Sequence, residues 1–299
     1  MNEISLLDLR PLSIAELFDR SFRLYRKNFG TFLGIMIITQ MPIFIFGLAI
    51  AFLDSPSASA GLASISALLT VIFTQIGAAT LTKNISDSYL GRKINFQEAF
   101  ERIGGTWFTL IFASILAGLF VGALAFPFAC IFMFLIPPLS GAGVMAFRTV
   151  LTAIGFLIIG AVANVLISLI PPVVVLEKKG PLDSVKRAWE LVKKRFWWSF
   201  GYLFLLGLLS LLVISGPVAL IQYLFATVLG DTSLLLRTIV GDTASSLLSA
   251  IFMPIRLTAI TLMYFDLRIR FEGFDLMVLS TTTNTPLDDL SELTTKRSL

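Results

Sequence analysis

With 299 residues, 56% of them hydrophobic, 14% charged and a net charge of +4, the chain has too little polar surface to cover a water-soluble globule. Its mean hydropathy of +0.88 and its long apolar runs are those of an integral membrane protein. No histidine is present and Cys130 is the only cysteine, which removes the commonest general base and metal ligand and excludes an intrachain disulfide or a thiolate cage. No cofactor is expected.

The chain opens "MNEISLLDLRPLSIAELFDRSFRLYRKNF", acidic and basic by turns, with no early apolar core or small-residue cleavage pattern. It does not read as a secretory signal, so the first span is expected to be retained. About twenty apolar residues cross a bilayer core. Suitable runs occupy residues 29–53, 61–82, 107–126, 149–176, 196–225 and 244–265, six in all. The stretch "FPFACIFMFLIPPLSGAGVMAF" (126–147) is apolar but broken by Pro127, Pro137 and Pro138; it reads as an extended connection, with an extension of the third span or a separate lipid-facing or re-entrant piece as the alternatives. Residues 277–299 read as a polar, disordered tail.

Basic residues alternate from one connection to the next. Arg10, Arg20, Arg23, Arg26 and Lys27 precede the first run; Lys83, Arg92, Lys93 and Arg102 follow the second. Seven more lie between Lys178 and Arg195, and Arg268, Arg270, Lys296 and Arg297 follow the last run. The intervening connections offer only Arg148 and Arg237. The positive-inside rule then places both termini in the cytoplasm, in a plasma membrane.

Three segments before the odd-numbered spans superpose without gaps: "ELFDRSFRLYRKNF" (16–29), "INFQEAFERIGGTW" (94–107) and "DSVKRAWELVKKRF" (183–196). Phe18, Phe96 and Val185 align, as do Ser21, Ala99 and Ala188, and Phe22, Phe100 and Trp189. Tyr25, Ile103 and Val192 follow, then Phe29, Trp107 and Phe196. That spacing predicts three amphipathic helices on the cytoplasmic surface, bulky faces in the acyl boundary. Ser13 and Asp183 are the expected N-caps of the first and third. The fold class is therefore an all-α polytopic membrane protein. Its single membrane domain, 1–276, is built from helix-span-span repeats at 12–82, 94–176 and 181–267.

Two sets of side chains stand out. In "YFDLRIRFEGFDL" (264–276), Asp266 can pair with Arg270 at i+4, and Gly273 can end the helix. Arg268 and Arg270, with Lys193, Lys194 and Arg195, are candidate contacts for anionic lipid headgroups. Arg256 lies ten positions before Asp266. If the bilayer boundary falls at Asp266, that is roughly 15 Å inside the membrane, where a charge costs about 3 kcal/mol. Gln40, Gln75 and Asn164 reach similar depths, so the four form a candidate midplane polar site; the plainer reading is a buried arginine that fixes helix packing.

"RPLSIAELFDRSFRLYRKNF" (10–29), "PPVVVLEKKGPLDSVKRAWELVKKRFWWSFG" (171–201) and "YFDLRIRFEGFDL" resemble the glycerophosphoryl diester phosphodiesterase membrane domain family of bacteria and archaea. The resemblance runs from about Arg10 to Leu276. It implies a multi-spanning membrane region without the phosphodiesterase domain, whose barrel needs roughly 250 further residues.

The leading expectation is a non-enzymatic membrane protein, a lipid-interacting or assembly module whose partners are anionic membrane lipids and not nucleic acid. The alternative is a transporter or channel for a small anionic or amphiphilic solute passing Arg256. A lipid-modifying enzyme is weaker, because no paired acids or nucleophile-base set lies within the spans. Self-association is left open.

Overall fold

A computed structural model describes residues 10–52, 56–92, 98–101, 103–130, 142–229 and 234–274. The described residues are helical, with no strand among them. In order they form α1 (Ile14–Lys27), α2 (Phe29–Ala51), α3 (Pro56–Tyr89), α4 (Glu98–Glu101) and α5 (Thr106–Cys130). Then come α6 (Ala142–Glu177), α7 (Pro181–Lys193), α8 (Phe196–Ser210), α9 (Gly216–Leu229) and α10 (Leu234–Glu272). Six stretches are long and apolar enough to cross a membrane: Phe29–Ile50, Gly61–Tyr89, Thr106–Pro127, Thr149–Glu177, Phe196–Thr227 and Ile239–Glu272. The protein is an all-α, six-span integral membrane protein.

The fifth span joins α8 to α9 through a π-helical turn, Leu211–Ser215, immediately before Gly216 and Pro217. Proline has no N–H to return to the preceding turn, and a wider turn relieves its ring. Of the connection expected at 126–147, the described residues 126–130 and 142–147 are helical, and 131–141 lie outside the described residues. α5 carries Pro127 inside it and runs to Cys130, and α6 begins at Ala142. The tail expected at 277–299 lies outside the described residues.

α1 starts at the expected Ser13. Its hydroxyl accepts from the Glu16 amide (3.3 Å) and its amide donates to the Glu16 carboxylate (2.8 Å), a capping box. Those two Ser13 groups, then the Arg10 guanidinium, hold the Glu16 carboxyl down at about 2. α7 starts three residues earlier than expected. Gly180 is its N-cap and Pro181 its first residue, so Asp183 stands inside the first turn. Of the second predicted surface helix the described residues keep only Glu98–Glu101 as helix. Gly104, at φ +46°, and Gly105 stand three and four residues beyond Glu101; two adjacent glycines disfavour continuing a helix.

α3, α6 and α10, the return spans, are 34, 36 and 39 residues long. At 1.5 Å per residue they reach about 51–58 Å, well beyond a hydrocarbon layer of about 30 Å. Their C-terminal halves, residues 78–88, 165–175 and 257–267, are almost wholly buried, while their N-terminal halves are largely half-buried or exposed. The surplus turns form a packed core at the basic end of the bundle, and α1, α4 and α7 wrap it. The expectation that the surface helices turn their bulky faces to lipid therefore needs correction. Leu17, Ser21 and Tyr25 of α1 and Ser184, Ala188, Leu191 and Val192 of α7 are buried in protein. Only Phe22 and Trp189 of the aligned positions stay exposed on these two helices, at 38% and 41%.

Candidate functional site

Helical spacing puts Asp266 and Arg270 one turn apart, and the Asp266 side chain is fully buried. Its Oδ2 accepts from Arg270 Nε (2.8 Å) and its Oδ1 from the Leu12 amide (2.7 Å). Arg270 Nη2 donates in turn to the Leu12 carbonyl (2.7 Å). The pair thus grips both polar groups of one residue in the extended segment before α1. Gly273, at φ +60°, ends α10 as expected.

A second network lies beside it. Both Glu177 carboxylate oxygens accept from Arg187 Nε (3.0 and 3.1 Å), and Oε1 also accepts from the Tyr264 hydroxyl (2.8 Å). Arg187 Nη2 pairs with Glu272, whose other oxygen accepts from Arg268 Nε (3.1 Å). Arg268 Nη1 closes the circuit on Tyr264 (3.3 Å), and its guanidinium lies 4.6 Å from the Phe274 ring centre. Burial works against the charge on Arg187, but the Glu272 and Glu177 carboxylates outweigh it and hold its pKa above the ordinary value. A smaller version sits at the end of α3, where buried Asp87 meets Lys83 (3.5 Å) and Arg92 (3.3 Å).

Each return span therefore ends in a buried or nearly buried acid held by cations: Asp87, Glu177 and Asp266. Residue spacing alone does not single out Asp87, Glu177, Arg187 and Leu12 as site residues. The available signal was an acid near the end of every even-numbered span, in a chain with only 19 acids.

The five predicted headgroup contacts separate. Arg268 and Arg270 are 17% and 26% exposed and are taken up by the networks above. Arg195 lies 4.8 Å from the Trp198 ring centre, and its Nη1 is buried without a hydrogen-bond partner. Lys193 and Lys194 are exposed; Lys194 Nζ stands 5.0 Å from the Phe271 ring centre. Arg26 and Lys27 on α1, which the site prediction omitted, are exposed as well. Around these cations Phe22, Phe29 and Trp197 are exposed, Trp197 at 79%.

The four midplane residues are not joined by hydrogen bonds. Gln75 donates to Ser114 on α5 (3.2 Å), and Asn164 is exposed on the outer face of α6. Gln40 and Arg256 are half-buried, and neither makes a hydrogen bond or ion pair among the described residues. The depth of Arg256 also shortens. Tyr25, in the last turn of surface helix α1, donates to the carbonyl of Ile251 (3.0 Å). Arg256 lies five residues nearer the basic end than Ile251. The count from Asp266 overshot because the last turns of α10 stand in the packed basic end rather than in the apolar layer.

Among the described residues no group of three or more Cys, Asp or Glu is placed to hold a metal ion. No curated protein and no solved structure matches the chain. One family does, over residues 12–267, from the residue gripped by Asp266 to the residue after it. The chain belongs to that family, described as "Domain of unknown function (DUF7847)".

Proposed function

We propose that the protein is a non-enzymatic membrane module whose basic end binds anionic lipid headgroups through α1 and the turn between α7 and α8. The observation that carries this reading is the division of its cations. Arg187, Arg268 and Arg270 are held by internal carboxylates, whereas Arg26, Lys27, Lys193 and Lys194 are exposed beside exposed aromatic rings. Exposed cations flanked by interfacial aromatics suit a headgroup layer, at about 1 kcal/mol for each basic residue near an anionic surface. The alternation of basic connections supports the same reading, with the basic end and both termini on the cytoplasmic side. The likeness to the glycerophosphoryl diester phosphodiesterase membrane domain belongs to the same proposal, as a membrane region working without the catalytic barrel.

The test is thermal unfolding of the full chain in neutral detergent, titrated with phosphatidylglycerol or with phosphatidylcholine. Phosphatidylglycerol should raise the midpoint by linkage, about 2.7 kcal/mol at a hundredfold excess over Kd. A variant with Arg26, Lys27, Lys193 and Lys194 all changed to Gln should lose most of that gain and keep its lipid-free midpoint. A full gain in the variant would refute the reading.

A second reading, transport of a small anionic or amphiphilic solute, is favoured by one observation. Arg256 is a half-buried cation with no hydrogen bond or ion pair among the described residues, so its charge is left for an anion to meet at the basic end of the bundle. Solute flux into proteoliposomes that vanishes with Arg256→Ala would support it over the lipid module.

A further inference from the structure

At the end of the bundle away from the basic core, α2, α3 and α10 line a half-open cavity of about 220 Å³. Phe44 and Leu48 of α2 line it on one side; Ser66 of α3 and Ser245 and Ser246 of α10 supply hydroxyls; Asp242 supplies the one charge. Asp242, Ser245 and Ser246 fall within about one turn of α10, so one helix face presents a carboxylate and two hydroxyls together. Asp242 is exposed and makes no hydrogen bond or ion pair among the described residues. The surroundings are apolar. Met41 and Ile45 on α2 and Leu68 on α3 are exposed at 52%, 57% and 66%, on stretches that would face lipid chains.

An ionised side chain within a span needs a partner, and the negative charge of Asp242 calls for a cation. We propose that this cavity binds the ammonium headgroup of an amphiphile, with Asp242 as counter-ion, the serine hydroxyls as further acceptors and the alkyl chain leaving along Phe44 and Leu48. A carboxylate accepts charge-assisted hydrogen bonds from an ammonium, and each hydroxyl can accept one more. A free inorganic cation would leave the apolar wall unused. An anionic lipid would meet the carboxylate directly, so this site and the basic end select opposite headgroup charges. The proposal does not depend on the lipid reading of the basic end.

The probes are n-dodecylammonium, dodecanol as the uncharged chain and ethanolamine as the free head, each titrated against the full chain in neutral detergent. Dodecylammonium should raise the unfolding midpoint saturably, and the other two should not match it. Asp242→Asn should weaken the apparent affinity by about tenfold or more, the order expected for hydrogen bonds to a charged group. Gly47→Leu gives an independent block. Gly47 lines the cavity, and a Cβ added there meets nothing within 4 Å, so the new side chain enters free space and leaves every charge in place. Should Asp242→Asn fold poorly without probe, Gly47→Leu carries the comparison. Wild-type affinity in either well-folded variant overturns the proposal. So does an equal response to dodecanol, which would make this a plain apolar void, or to ethanolamine, which would make it a site for free amines. The Lys193→Gln, Lys194→Gln variant should keep the dodecylammonium response, which separates failure here from failure at the basic end.

Discussion

A carboxylate taken out of water loses several kcal/mol of hydration, and a fully buried one persists only where partners replace the water. Asp266 has two, Arg270 and the Leu12 amide. Removing the carboxylate leaves the Leu12 amide unpaired and the Arg270 guanidinium without its counter-charge. Asp266→Ala should therefore destabilise the protein by about 3 kcal/mol, measured by chemical unfolding in detergent micelles. The double variant with Arg270→Gln should be destabilised by less than the sum of the two single changes. Strict additivity would mean the two side chains act separately. Half of this grip is legible in the sequence, because a helix fixes the i, i+4 distance. Leu12 stands 254 positions away, and no local rule could have paired it. Asn164 shows the opposite failure. Counting residues gives its depth, but the rotation of its helix, which turns it outward, depends on packing against α5 and α3.

The aligned surface segments are alike in burial as well as in letters. The small position, Ser21, Ala99 and Ala188, is buried in all three, and so is the position of Tyr25, Ile103 and Val192. Phe22 and Trp189 are exposed at their shared position and Phe100 is half-buried. Sequence spacing thus identified one helix face correctly but assigned it to lipid, because an apolar stripe reads the same whether protein or acyl chains cover it. The difference has a consequence for α7. Ala188→Leu forces extra volume into a closed core and should cost about 1–3 kcal/mol in thermal or chemical unfolding. The adjacent Trp189→Ala should change stability in detergent by no more than about 0.5 kcal/mol while weakening association with anionic vesicles. A large stability loss at Trp189 together with none at Ala188 would mean the helix is turned the other way.

Across the molecule, each return span packs on the next surface helix: α3 on α4, α6 on α7, and α10 back on α1. The first two contacts join neighbours in the chain; the third closes the series without a covalent link, through Asp266, Arg270 and Leu12. Six spans and an all-α fold were legible from apolar run length alone, since 20 residues of helix and one bilayer core have the same length. The overhang of the return spans was not, because the buried turns of α6 and α10 are nearly as apolar as a membrane span, and it displaced Arg256 toward the basic end. On the proposed reading, the closed basic end offers its exposed cations to anionic lipid. Native mass spectrometry of the full chain, released from detergent after incubation with equal phosphatidylglycerol and phosphatidylcholine, counts the lipids that stay bound. Wild type and Arg256→Leu should both retain phosphatidylglycerol preferentially, and the variant with Arg26, Lys27, Lys193 and Lys194 changed to Gln should retain the two lipids equally. An unchanged preference for phosphatidylglycerol in that variant would contradict the account.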